Sequence, residues 1–167
     1  MFFIKYKNTI FDLMEGKIYD LKIVNEKIRN YCAIMDRCQH QVFQKLQKYG
    51  VSDHHSHDIL IELIQQDFLN EERFAKSYSS GRFKIKKWGK RKISYQLSLL
   101  KVSKECINSG LLEIDDEEYS ETLNSLAEQK YLALKDKNLF VRKRKVANYL
   151  VSKGYESELV WNKISSL

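Results

Sequence analysis

HQVFQKLQKYGVSD (His40–Asp53), RKISYQLSLLKVSK (Arg91–Lys104) and RKVANYLVSKGYES (Arg144–Ser157) align on their apolar positions. Val42, Ile93 and Val146 correspond, then Leu46, Leu97 and Leu150, then Val51, Val102 and Tyr155, at offsets of 51 and 53 residues. In the first copy Val42, Phe43, Leu46 and Tyr49 fall at i, i+1, i+4 and i+7, one face of a 3.6-residue helical period. Gly50 and Gly154 follow as helix stops. Lys101 stands at the glycine position of the middle copy, so it either takes a left-handed conformation or ends its helix differently. Ser52 or Asp53, and Ser103, can cap the helix that comes next.

Each copy is followed by another apolar helical pattern: Ile59, Leu60, Leu63 and Ile64; Cys106 and Ile107; Leu159, Val160 and Ile164. Each is preceded by a longer one. Asn70 with Glu71 and Glu72 marks one long-helix start, and the acidic run Asp115 to Glu118 suits the positive end of another. Leu123, Leu126, Ala127, Tyr131 and Leu134 form the buried stripe of the latter. The pattern predicts nine helices, near 22–35, 39–49, 53–66, 71–87, 90–100, 103–110, 115–137, 139–153 and 156–165. Three short helices bury too little apolar surface to stand alone, so neighbouring sets should stack. The expected fold is all-α: three tandem three-helix repeats (22–68, 69–113 and 114–167) in an elongated, curved array. Residues 1–21 are an N-terminal extension, read either as a frayed segment or as a strand-like piece.

Composition agrees with this reading. Among 167 residues there is no proline, where an average chain would carry roughly 8. Absent proline favours uninterrupted helix. The apolar runs fall far short of the ~20 residues a membrane helix needs. Cys32, Cys38 and Cys106 lack metal-ligand spacing and read as buried thiols in a reducing compartment. No secretory signal is visible behind Met1, so the expected location is the cytoplasm.

The net charge of +7 is unevenly placed. Residues 1–70 balance 9 basic against 9 acidic side chains, so residues 71–167 carry the whole excess. RFKIKKWGKRK (Arg82–Lys92) holds seven basic residues and no acid, and KDKNLFVRKRK (Lys135–Lys145) holds six against Asp136 alone. Such a potential attracts polyanions. The second and third repeats thus present matching basic corners at an offset of 53, which the first lacks. The candidate binding surface is Arg82, Lys84, Lys86, Lys87, Lys90, Arg91, Lys92, Arg142, Lys143, Arg144 and Lys145. Trp88 and Phe83 lie among these charges, either stacking on bases or filling the core.

The segment Phe68 to Ser103 resembles the RecX family of bacterial recombinase regulators, through Phe74-Ala75, Tyr78, Arg82, Trp88-Gly89 and Ile93 with Leu97. Lys143 to Tyr155 is similar to the family's last repeat and Val42 to Ser52 to its first; Lys101 departs from its usual glycine. The resemblance implies three tandem three-helix repeats without enzymatic activity. It implies that the chain binds the RecA recombinase, lodges in the groove of its filament on DNA, and suppresses strand exchange and ATP hydrolysis in recombination and DNA repair. Direct contact with single- or double-stranded DNA is left open.

Two other readings follow from the residues. The helices beginning RKIS and RKVA could enter DNA grooves as helix-turn-helix-like recognition elements of a general DNA-binding protein. His54, His55 and His57 beside Asp53 and Asp58 could serve a metal-dependent nuclease, but on a helix His54 and His57 lie one turn apart while His55 points elsewhere. Their plain reading is an exposed helix start. No phosphate-binding G-x-x-x-x-G-K-[ST] loop and no G-x-S-x-G or H-E-x-x-H motif occurs, so no catalytic residue and no cofactor is expected.

Overall fold

The computed structural model describes residues 20–167, and the reading of the N-terminal extension falls on residues outside that range up to residue 19. Among the described residues there are nine α-helices and no strand. They are α1 (Leu21–Ile34), α2 (Gln39–Lys48), α3 (Asp53–Gln65), α4 (Glu71–Lys86), α5 (Lys90–Leu99), α6 (Lys104–Leu111), α7 (Asp116–Ala133), α8 (Leu139–Lys153) and α9 (Ser157–Ser165). Local chemistry sets their ends. Asp20, Ser52, Ser103, Asp115 and Asn138 each accept a backbone N–H in the first turn of the helix they precede. Gly50, Lys101 and Gly154 share the same left-handed role, at φ of 83°, 58° and 95°. Lys101 therefore keeps the geometry of its glycine counterparts and bears the steric cost of a Cβ there.

Two compact units follow in sequence, divided after Glu71. The first contains α1–α3 around Ile28, Val42, Leu46, Val51 and Leu63, with Phe43 and Phe68 packed on the side. Arg29 ties α1 to α3 through Glu62, at 2.6 Å.

The second unit contains α4–α9. All nine residues aligned between the repeats are buried, which is why that alignment carries the fold. Gly110 of α6 crosses α4 so closely that a Cβ there would lie 2.6 Å from the Ala75 carbonyl oxygen and 2.9 Å from Ser79 Oγ. The start of α5 abuts the end of α8, backbone against backbone. Gly89 N–H donates to the Lys153 carbonyl at 2.9 Å and Arg91 N–H to the Gly154 carbonyl at 3.1 Å. In return the carbonyl groups of Lys86 and Lys87 accept from Lys153 Nζ and Tyr155 OH. The unpaired amides of one helix start thus meet the unpaired carbonyl groups of another helix end.

The α7 stripe predicts helix through residue 137, but α7 stops at Ala133, and Leu134 turns extended at ψ 133°. The Arg142 guanidinium supplies the reason. Its Nε and Nη2 donate to the Tyr131 carbonyl at 2.8 and 2.5 Å, which meets the hydrogen-bonding demand of that carbonyl at the helix end.

Candidate functional site

The eleven candidate basic residues do not form one uniform corner. Gly89 is the cap of α5, whereas its counterpart Arg142 lies one turn inside α8, which begins at Leu139. The second cluster therefore sits on a helix body, not at a helix start. Lys92 Nζ reaches the Ser152 carbonyl at 3.1 Å, which sets the first cluster at the C-terminal end of α8. At 1.5 Å per residue, Arg142 to Lys145 lie roughly 10–16 Å back along that helix.

Six of the eleven are engaged within the fold, Lys87 among them with its Nζ 5.8 Å from the Phe83 ring centre. Lys90 pairs with Asp116 at 2.5 Å and lies over the Tyr119 ring. Lys92 and Arg82 both lie over Trp88, at 5.0 and 5.4 Å from the ring centre. Arg142 clasps Tyr131, with its guanidinium 3.9 Å from the ring centre. Lys145 pairs with Asp136 at 2.7 Å. Lys84, Lys86, Lys87, Arg91, Lys143 and Arg144 pair with no carboxylate among the described residues. The three lysines at the end of α4 suit the helix dipole, but Lys143 and Arg144, past the first turn of α8, gain nothing from it.

Behind these charges stands a buried aromatic layer. Phe83, Tyr119 and Tyr155 follow one another with ring centres 5.7 and 5.0 Å apart. Phe83 is therefore core, while Trp88 is half-buried. Tyr119 OH accepts from Lys90 N–H at 3.0 Å and donates to Glu156 Oε2 at 2.7 Å. Burial, reinforced by Glu156 at Tyr119 and by Tyr149 and then Glu156 at Tyr155, pushes both phenols well above the usual tyrosine range. Lys90 holds the Asp116 carboxyl below its ordinary value. Sequence reasoning missed this network because its members are 29 and 37 residues apart.

The helix-turn-helix reading requires the first residues of α5 to be free to enter a groove. Here the backbone N–H groups of Gly89, Lys90 and Arg91 are taken by Lys153, Tyr119 and Gly154, while the Arg91 side chain stays exposed. The histidine cluster disperses: His54 binds Asp58, His57 the Asp53 carbonyl, and His55 Ser52 Oγ. Among the described residues no group of side chains could hold a metal ion. Cys32 and Cys38 are buried, with thiols pushed up by burial, whereas Cys106 is half-buried, short of the expected full burial. No described helix is long and apolar enough to cross a membrane.

Residues 70–111 match the RecX second three-helix domain and residues 116–164 the RecX third three-helix domain, together more than half of the chain. The chain belongs to the RecX family. "Regulatory protein RecX" of Clostridium beijerinckii is 28% identical over 151 residues, covering 89% of this chain and 66% of that protein. The protein of the same name from Clostridium perfringens strain SM101 is 35% identical over 98 residues, covering 57% of this chain and 45% of that one. The chain thus spans about two thirds or less of these two curated relatives. The crystal structure of RecX from Lactobacillus salivarius superposes with a TM-score of 0.78 at 20% identity, covering 87% of this chain and 95% of that one, which shows a shared fold. The RecX domain boundaries fall beside the starts of α4 and α7.

Proposed function

We propose that this chain is a cytoplasmic regulator that binds the RecA recombinase and its filament on DNA, and that it lowers ATP hydrolysis and strand exchange in recombination and DNA repair. The observation that carries the reading is the ordered match of α4–α6 and α7–α9 to the second and third RecX domains. The reading takes residues 22–68, 69–113 and 114–167 as three repeats. It acts by binding, not catalysis. The electrostatics support it: six of these cations in the second unit pair with no carboxylate and favour an anionic partner, and a DNA-bearing filament is dense in negative charge. Within the candidate surface, Lys84, Lys86, Lys87, Arg91, Lys143 and Arg144 are the contact group. Arg82, Lys90, Lys92, Arg142 and Lys145 are held against neighbouring rings or carboxylates of the fold.

The test is RecA ATPase and strand exchange on single-stranded DNA, with and without the purified chain at substoichiometric ratios. The expected result is lower rates well below one chain per RecA subunit. Replacing the six contact cations by Gln should weaken filament binding and flatten its salt dependence while the protein stays folded. Unchanged rates at saturating concentration refute the reading.

A further inference from the structure

Single exposed apolar residues are ordinary on a protein surface; a recurring arrangement of them is not. Among the described residues, five large apolar side chains are more than 70% exposed: Ile34 (83%), Ile85 (77%), Leu112 (85%), Leu132 (77%) and Phe140 (74%). Leu112 aside, all of them flank the junction between the first and second helix of a three-helix set. Ile34 ends α1, Ile85 is near the end of α4, and Leu132 and Phe140 bracket the α7–α8 turn. Ile34 and Ile85 share the repeat offset of 51 residues.

Each of these junctions also holds an aromatic ring carrying an arginine. At the α1–α2 junction the Arg37 guanidinium lies 4.1 Å from the Tyr31 ring centre, with Lys45 Nζ at 5.7 Å. At the α4–α5 junction Arg82 and Lys92 share Trp88. At the α7–α8 junction Arg142 holds Tyr131, next to Leu132. The clasp fixes a long cationic side chain before any partner arrives, which reduces the entropy lost on contact. An aromatic ring with a preorganised Arg is the composition enriched at protein-binding hot spots, and an exposed apolar side chain nearby adds surface to bury. Most of these tips are aliphatic and offer no ring for a base to stack on.

We infer that each three-helix set carries one protein-contact point at this junction, shaped for a surface whose apolar hollow is rimmed by carboxylates. Resting on the filament reading above, the points engage equivalent hollows on recombinase subunits, whereas the six cations that pair with no carboxylate serve the general attraction.

The experiment uses the whole chain and two probes: RecA filaments on single-stranded DNA with a slowly hydrolysed ATP analogue, and the same DNA naked. Ile34→Ser, Ile85→Ser and Phe140→Ser replace exposed side chains, so helical content and melting should not change. Each should weaken filament binding about 5–20-fold and leave binding to naked DNA unaltered. Ile34→Val and Phe140→Leu, which keep an apolar tip, should bind like the parent. Wild-type affinity in the serine variants overturns the inference, and so does an equal loss on naked DNA or a loss confined to one junction. A parent chain that does not bind filaments at all fails the functional reading and this inference with it.

Discussion

Gly89→Ala tests the contact between α5 and α8 most sharply. A Cβ at Gly89 would lie 2.2 Å from the Gly154 carbonyl carbon and oxygen and 2.4 Å from Tyr155 N. Ordinary contact needs more than 3 Å, and the obstacle is backbone, which cannot rotate away as a side chain could. The two segments must separate by about 1 Å or more, the shortfall from contact distance. That separation strains two hydrogen bonds, from the N–H groups of Gly89 and Arg91 to the carbonyl groups of Lys153 and Gly154. At about 1 kcal/mol each, with about 1–3 kcal/mol for overpacking, the loss should be roughly 3–5 kcal/mol. For a unit of this size that lowers the melting temperature by on the order of 15–30 °C. Gly81→Ala is the matched control, because nothing lies within 4 Å of its Cβ position. It sits inside α4 and should gain about 0.5–1 kcal/mol from helix propensity. Thermal unfolding followed by circular dichroism compares the three proteins. If Gly89→Ala melts within two or three degrees of the parent while Gly81→Ala melts higher, the backbone contact does not hold α5 to α8.

Three further outcomes follow from the same geometry. Lys101→Gly removes a Cβ from a left-handed residue at φ 58° and should raise stability by about 0.5–1 kcal/mol, read as a higher urea midpoint at unchanged slope. Burial holds the Tyr119 and Tyr155 phenols above their ordinary value of 10.0. The native state therefore keeps its protons where the unfolded chain loses them: this stability is fully present below pH 10 and falls as pH rises beyond it. Urea midpoints from pH 8 to 11 should decline less steeply for Tyr119→Phe and Tyr155→Phe than for the parent. Arg142→Gln should cost about 1–3 kcal/mol by releasing the Tyr131 carbonyl, while Arg144→Gln should leave melting unchanged and weaken filament binding; equal melting losses would contradict the division between supporting and contacting cations.

Helix positions were legible because they depend on neighbours in sequence. Apolar period, cap chemistry and left-handed stops all act within a few residues, so eight of the nine helices lie within a residue or so of their expected bounds. The exception, the end of α7, is decided by Arg142, eleven residues from the carbonyl it satisfies. The candidate surface was legible only as charge. A run of Lys and Arg reveals that cations are present but not which ones the fold occupies. Lys90 and Asp116 are 26 residues apart, so their pairing leaves no local signature. Gly89 reads from sequence as a simple helix break. Its second reason, a backbone passing where a side chain would be, belongs to Gly154 on another repeat.

The amino-acid sequence by itself determined the all-α class, the threefold repetition, the nine aligned buried positions and the family, since each rests on short-range periodicity written three times; of the α7 stripe only Leu123 and Ala127 are buried. Tertiary structure alone decided which basic residues hold the scaffold and which pair with no carboxylate. It also decided which apolar side chains stay exposed at each junction and which arginines lie over a ring. Pairing of a charge and exposure of a side chain depend on what long-range packing brings alongside them, and no local pattern encodes that.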